Sequence, residues 1–280
     1  MADMDGVAPD PAAALQVALA AATEAGCVLV AMRGEAARMQ ATSKSSLRDL
    51  VTAADLAAEE AIVTRLRAAF PDHAIEAEES TRDARDERPR WFVDPLDGTV
   101  NYVHGLPAYC VSIALWHRGA PLVAVVHAPA LRERFWAERG RRAWVEQLDA
   151  AGAPCSAPAR LATSACEALG DALVATGFAY RRHELSNPNV GNFERLILRL
   201  RDIRRCGSAA LDLAWTAAGR LDGYWELHLS PHDVAAGGML VLEAGGVVSD
   251  ARGAADWLRA GHILAAPRAM HVALAREIEV

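Results

Sequence analysis

Two carboxylates three residues apart, Asp94 and Asp97, stand in the run Trp91-Phe92-Val93-Asp94-Pro95-Leu96-Asp97-Gly98-Thr99-Val100-Asn101-Tyr102. Paired acids beside a glycine and a hydroxyl suit hard divalent cations that in turn hold a phosphate. Gly98 carries no Cβ, so backbone there can approach a ligand closely. The bulky residues Trp91 to Val93 read as the end of a buried strand. Pro95 cannot donate a ladder hydrogen bond and is expected to stop that strand. Asp94 then lies at the strand's carboxyl end and Asp97 in the turn beyond, at the edge where open α/β sheets bind ligands. Taken alone, the run has a second reading. Asp-Pro and Asp-Gly are common turn dipeptides, and Asp-Gly-Thr can be a turn entering a helix.

Other acids fall at the ends of predicted elements. Thr52 is an N-cap with Asp55 at the third helical position, a Thr-x-x-Asp box that opens a helix to Phe70. A short strand, His73 to Ala77, ends at Glu78-Glu79-Ser80, and a highly charged connection runs from Ser80 to Arg90. Ser230-Pro231-His232-Asp233 repeats the capping pattern at the start of a helix closed by Gly245-Gly246. Between these lie predicted strands over 109–116 and 122–127, and further strands within 135–145. Asp10-Pro11 starts an N-terminal helix that runs to about Met32 and ends at Gly34; residues 42–51 read as a loop or hairpin. Residues 146–163 are rich in Ala, Pro and Ser and mark a boundary between halves. After it come strand 171–175, helix 189–200, strand 202–205, helix 208–220 and strand 221–227, then strands at 247–248 and 262–265 and a helix over 267–279. Such alternation indicates an α/β fold.

The chain has 280 residues, enough for one large domain or two joined halves. Its net charge of −7 argues against a general nucleic-acid binder. The arginine clusters at 139–142, 181–182 and 199–205 read as solvated faces or as help in attracting an anion. No uninterrupted apolar run of about 18 residues occurs, so no spanning helix is expected. The first ten residues hold three acids and no Lys or Arg, unlike a signal peptide. Five cysteines without a Cys-x-x-Cys pair fit free thiols in a reducing compartment, and a cytoplasmic location is expected.

Four separated motifs, in order, resemble the inositol monophosphatase family of lithium-sensitive, magnesium-dependent phosphatases. Residues 91–102 meet the pattern Trp-x-Val-Asp-Pro-x-Asp-Gly-Thr-x-Asn-aromatic, and His232 to Gly246 match the second signature. Ala77-Glu78-Glu79-Ser80 and the run from Lys44 to Asp55 match the other two. The resemblance covers nearly the whole chain. It implies a single domain over 1–280, a layered α-β-α-β-α sandwich with mixed sheets. A metal-binding half would span about 1–150 and an α/β half about 160–280.

The activity implied is magnesium-dependent hydrolysis of inositol monophosphate or a similar small polyol phosphate, with two to three ions per site. By resemblance, Glu78, Asp94 and the Leu96 carbonyl hold one ion. Asp94 bridges to a second, completed by Asp97 and Asp233, and a third, weaker ion rests on Glu78. Asp55 and Thr99 orient the attacking water, and the backbone of Gly98 and Thr99 holds phosphate oxygens. Gly207-Ser208-Ala209 line the sugar, and Glu226 contacts substrate hydroxyls. Glu79 supports the ligands, Lys44 lies in a covering loop, and the family implies a homodimer. Histidinol phosphate, a phosphoadenosine nucleotide and fructose bisphosphate are alternative substrates, and a non-catalytic regulatory protein associated with transcription is the alternative class. The chain departs from the family at His232, where Trp is usual, at Ala77, where Gly is usual, and at Gly140-Arg141-Arg142-Ala143, which lacks a second glycine.

Overall fold

A computed structural model describes residues 9–34, 42–43, 50–84 and 86–280. Lys44 lies outside the described residues. The chain runs α1 (Pro11–Met32), β1 (Thr42–Ser43), β2 (Leu50–Val51), α2 (Ala53–Ala69), β3 (Ala74–Ala77), β4 (Arg90–Asp97), α3 (Thr99–Val103), β5 (Cys110–His117), β6 (Ala120–Ala128), β7 (Glu133–Glu138), β8 (Ala143–Gln147) and β9 (Ala159–Arg160). It continues with β10 (Leu173–Thr176), α4 (Val190–Ile197), β11 (Asp202–Arg204), α5 (Ala209–Ala217), β12 (Gly223–Leu227), α6 (Pro231–Glu243), β13 (Val247–Ser249), β14 (His262–Ala266) and α7 (Arg268–Ala275).

Strands β3 to β9 lie in chain order in a seven-stranded sheet, parallel only between β3 and β4. The second sheet has the order β11-β10-β12-β14-β13, parallel on both sides of β10 and antiparallel beyond β12. Strand alternation builds the layers. Trp91 and Val93 point from β4 into a core shared with Leu15, Leu29, Ile62 and Leu66 of α1 and α2. Phe92 points the other way, into a core with Leu211 and Leu213 of α5 and Val234 and Met239 of α6. A third core, with Trp225, Leu264 and Met270, lies between the second sheet and the outer helices α4 and α7. The result is the layered α-β-α-β-α sandwich with mixed sheets. Trp91 is fully buried, and truncating it to Ala costs about 3–5 kcal/mol.

Several local expectations change. Pro95 does not end its strand: β4 continues to Asp97. The register shifts there, with Asp94 opposite Ser112 and Asp97 opposite Cys110, so three steps on β4 meet two on β5. This extra residue is a bulge, which accommodates a proline because part of the ladder is already broken. The segment after β8 is not a plain linker, because β9 pairs with β8 at Trp144↔Arg160 and extends the first sheet. Helix α1 is, by length and composition alone, apolar enough to cross a membrane, although it contains no uninterrupted apolar run of 18 residues. Its alanines dominate the average, and Ala14, Leu15, Ala18, Ala21, Ala22, Ala25 and Leu29 are packed into the core beside α2. Asp10 caps it as expected, accepting from the Ala12 N–H at 3.0 Å. Arg142 adopts a φ of 72°, a conformation glycine takes readily. Its N–H and that of Gly140 donate to the Glu243 carboxylate at 3.0 and 2.8 Å.

Candidate active site

In a regular strand, residues three apart face opposite sides. The bulge in β4 changes that parity, and Asp94 and Asp97 meet the same group of acids. Asp94 is 1% exposed, and its Oδ1 accepts from the Leu96 N–H at 2.9 Å. Burial, then repulsion from Glu78, Asp97 and Asp233, raises its carboxyl well above the usual range. Asp97 is pushed up to about 7, first by burial and then by the charge of Asp233. Its Oδ2 accepts from the Ser208 hydroxyl and the Ala210 N–H, both at 2.7 Å, which ties β4 to the start of α5.

Gly98 turns the chain from β4 into α3 with a φ of 96°. A Cβ there would lie 2.8 Å from the Ala108 carbonyl and 3.2 Å from Tyr109 Cα, so no larger residue fits without movement. The turn carries Thr99 to a position 3.2 Å from Asp55 Oδ1 and 3.1 Å from the Leu96 carbonyl. Its single hydroxyl proton can serve one of those acceptors at a time. Asp55 is fully buried, and its Oδ2 accepts from Thr52 N–H at 2.8 Å and Thr52 Oγ1 at 2.6 Å. The predicted capping box and the Thr99 contact therefore use different oxygens of one carboxylate.

Asp233 opens α6 in the same way, accepting from the Ser230 N–H at 2.6 Å. Its Oδ1 lies 3.6 Å from Nε2 of His232. Glu78, Asp97 and Asp233 line a cavity of about 230 Å³, together with Gly207, Ser208 and Glu226. Glu226 receives the Tyr224 hydroxyl and fits against Gly177, where any Cβ would collide with it. Burial pushes Glu226 up to about 7. Asp212, also on the cavity wall, is raised well above the usual range by burial, and its Oδ1 has no hydrogen-bond partner.

The donor set of Glu78, Asp94, Asp97, Asp233 and the Leu96 carbonyl consists of hard oxygens, which fits magnesium better than a soft metal. Buried carboxylates that repel one another are what a bound cation would offset. Among the described residues, no three acid, thiol or imidazole side chains are gathered closely enough to close around an ion.

A sequence model of the inositol monophosphatase family matches residues 10–280. The chain belongs to the inositol monophosphatase family. The relative named Nus factor SuhB in Pseudomonas aeruginosa is 41% identical over 256 residues, covering 90% of each chain. The Nus factor SuhB of Escherichia coli is 39% identical over 263 residues, covering 93% of this chain and 94% of that one. Among solved structures, the extragenic suppressor protein suhB of Bartonella henselae matches with a TM-score of 0.84 and 37% identity, over 95% of this chain and 98% of that one. The inositol monophosphatase of Anabaena (Nostoc) sp. matches with a TM-score of 0.80 and 38% identity, over 94% of each chain.

Within this inositol monophosphatase fold, Glu78, Asp97, Gly207, Ser208, Ala209, Glu226 and Asp233 reach one cavity. Asp94 is buried against three of the same acids. Asp55, Leu96 and Thr99 form a linked group next to it. Glu79 lies on the Glu78 turn but is not among the cavity-lining residues. Two residues escaped sequence reasoning. Asn101 Nδ2 donates to the Ala108 and Cys206 carbonyls at 2.6 and 2.8 Å, clasping the 206–207 turn to the first half. Glu59, 2% exposed, accepts three backbone N–H groups from 79–81. An acid four residues beyond Asp55 on the same helix face was its only signal.

Proposed function

We propose that this protein is a magnesium-dependent phosphomonoesterase acting on inositol monophosphate or a similar small polyol phosphate. The observation that carries the reading is the group of mutually repelling acids Glu78, Asp94, Asp97 and Asp233, three of which line one cavity with Glu226, next to the Asp55–Thr99 pair. Phosphate monoesters hydrolyse extremely slowly in water, so a catalyst must offset much developing charge. Glu78, Asp94, Asp97, Asp233 and the Leu96 carbonyl would hold two to three magnesium ions. When bound, magnesium supplies positive charge for the phosphate oxygens and the leaving oxygen.

The chain's own groups position the reactants. Asp55 Oδ1 can take the Thr99 proton, which leaves the Thr99 oxygen lone pairs to accept a hydrogen bond from the attacking water. Orienting that water in line with the leaving group is an entropic contribution. Glu226, held by Tyr224, is placed to accept from a substrate hydroxyl. Gly98 and Thr99 present backbone N–H groups to phosphate oxygens. A homodimer, a cytoplasmic location and inhibition by millimolar lithium belong to the same reading.

A phosphate-release panel with magnesium tests it. Inositol 1-phosphate is expected to turn over faster than histidinol phosphate, 3′-phosphoadenosine phosphate or fructose 1,6-bisphosphate. Slower turnover than any of these reassigns the substrate, and no release from any of them removes the enzymatic reading.

The name Nus factor SuhB, carried by relatives at about 40% identity, favours a second reading: a regulatory role in transcription on the same fold. With a net charge of −7, a protein partner suits it better than direct contact with nucleic acid. Recovery of RNA polymerase components in a pull-down, together with no phosphatase activity, would place this reading first.

A further inference from the structure

Glu59 lies one helical turn beyond Asp55, so α2 sends two buried carboxylates from one face. Asp55 reaches Thr99 at the start of α3, whereas Glu59 reaches the turn after β3. Both Glu59 oxygens are occupied. Oε2 accepts from the Glu79 N–H at 2.8 Å. Oε1 accepts from the Ser80 N–H at 3.0 Å, the Ser80 hydroxyl at 2.6 Å and the Thr81 N–H at 3.1 Å. The same turn is closed by Ala77 N–H on the Thr81 carbonyl at 2.7 Å. Between these fixed points stands Glu78, whose N–H donates to Val93 next to Asp94 at 3.0 Å.

We infer that Glu59 is the positioning residue for Glu78. It fixes the turn that presents Glu78 to the cation site, and it does so from the helix that also holds Asp55. One rigid element thereby sets the spacing between the cation ligand and the Asp55–Thr99 pair, through a helical rise of about 6 Å over four residues. Four donors on one side chain explain why a carboxylate is needed. Glutamine has the same shape but only one acceptor oxygen, and its amide N–H groups would face backbone N–H groups. The inference rests on the cation-site reading of Glu78.

The test uses the full chain with E59Q and E59D, and Mn2+ as the probe for the cation site. Mn2+ affinity is measured by electron paramagnetic resonance, amide hydrogen exchange is followed at residues 79–81, and substrate KM is taken at saturating cation. E59Q is expected to weaken Mn2+ binding by about 10- to 100-fold. Exchange at 79–81 speeds up, KM stays within about twofold, and E59D recovers part of the affinity. A folded E59Q with faster exchange and unchanged Mn2+ affinity overturns the inference, because Glu59 would then stabilise the turn without serving the site. If E59Q does not fold, Ser80→Ala decides, since it removes only one of the four hydrogen bonds. A roughly two- to fivefold loss of affinity supports the role, and no loss overturns it. A wild-type chain that binds no Mn2+ overturns the cation-site reading itself and this assignment with it, an outcome the wild-type titration separates from a failure of Glu59 alone.

Discussion

Helices α2 and α6 begin with the same local device, a hydroxyl residue at the N-cap and an aspartate three residues on. In α2 the box is sealed: Asp55 is fully buried and its Oδ1 meets Thr99. In α6 it is open: the Asp233 side chain is 21% exposed and lines the cavity. Each cap aspartate uses one oxygen for its helix and turns the other toward the site. The layer around the helix decides the rest. The start of α2 is buried beside α3, and Asp55 Oδ1 accepts from the Thr99 hydroxyl there. The start of α6 packs on β5 through His232, whose carbonyl accepts from the Ser112 hydroxyl, and leaves the Asp233 carboxylate on the cavity wall with Oδ1 3.6 Å from His232 Nε2.

The largest effect is expected at Asp94, the acid buried with both groups. Asp94→Asn should lower kcat by about a thousandfold or more, within the range for removal of a key electrostatic group, while circular dichroism stays unchanged. Retained wild-type turnover would sink the assigned site. Next, the two cap aspartates should respond differently. Asp233→Asn should lose about 10²- to 10³-fold in kcat/KM and recover part of it at high magnesium, with a small change in Tm. Asp55→Asn should lose a similar factor that magnesium does not restore. Its Tm should also fall by roughly 2–10 °C, as expected when about 1–3 kcal/mol of buried hydrogen bonding is lost. Identical magnesium dependence in the two variants would erase the distinction between sealed and open caps.

Acidity offers a third test. Asp97 and Glu226 are raised from 3.8 and 4.5 to about 7 in the folded protein, mainly by burial. The folded state therefore binds protons more tightly than the unfolded chain. The resulting stability is complete below about pH 4 and is lost as pH rises toward 7. Relative to the double variant Asp97→Asn, Glu226→Gln, the Tm of the cation-free wild type should fall across that window, and saturating magnesium should flatten the difference. A wild type and double variant with the same cation-free pH slope would contradict the burial described for these acids. A smaller effect is expected at the clasp between halves. Asn101→Ala should raise substrate KM several-fold by loosening the 206–207 turn, with Mn2+ affinity nearly unchanged. The smallest is expected at His232, where Trp is usual in the family: His232→Trp should change kcat/KM by less than about threefold, because the neighbouring Asp233 keeps its Ser230 N–H.

What the sequence determined by itself was local. Helix caps, the strand of Trp91 to Val93 and the acids at its end depend on residues within a few positions of one another, and spacing alone reveals them. Pro95 shows the limit even there. A proline reads as a stop, but opposite β5 it becomes the bulge that turns Asp94 and Asp97 to one side. The tertiary structure decided every contact between distant segments. Ser208 and Ala210 reach Asp97, Asn101 reaches Cys206, and Glu59 reaches the 79–81 turn. Most of these partners are backbone N–H or carbonyl groups. Every residue type except proline carries both, so no letter of the sequence marks the ones that will be used; only the folded chain brings a particular amide to a particular carboxylate.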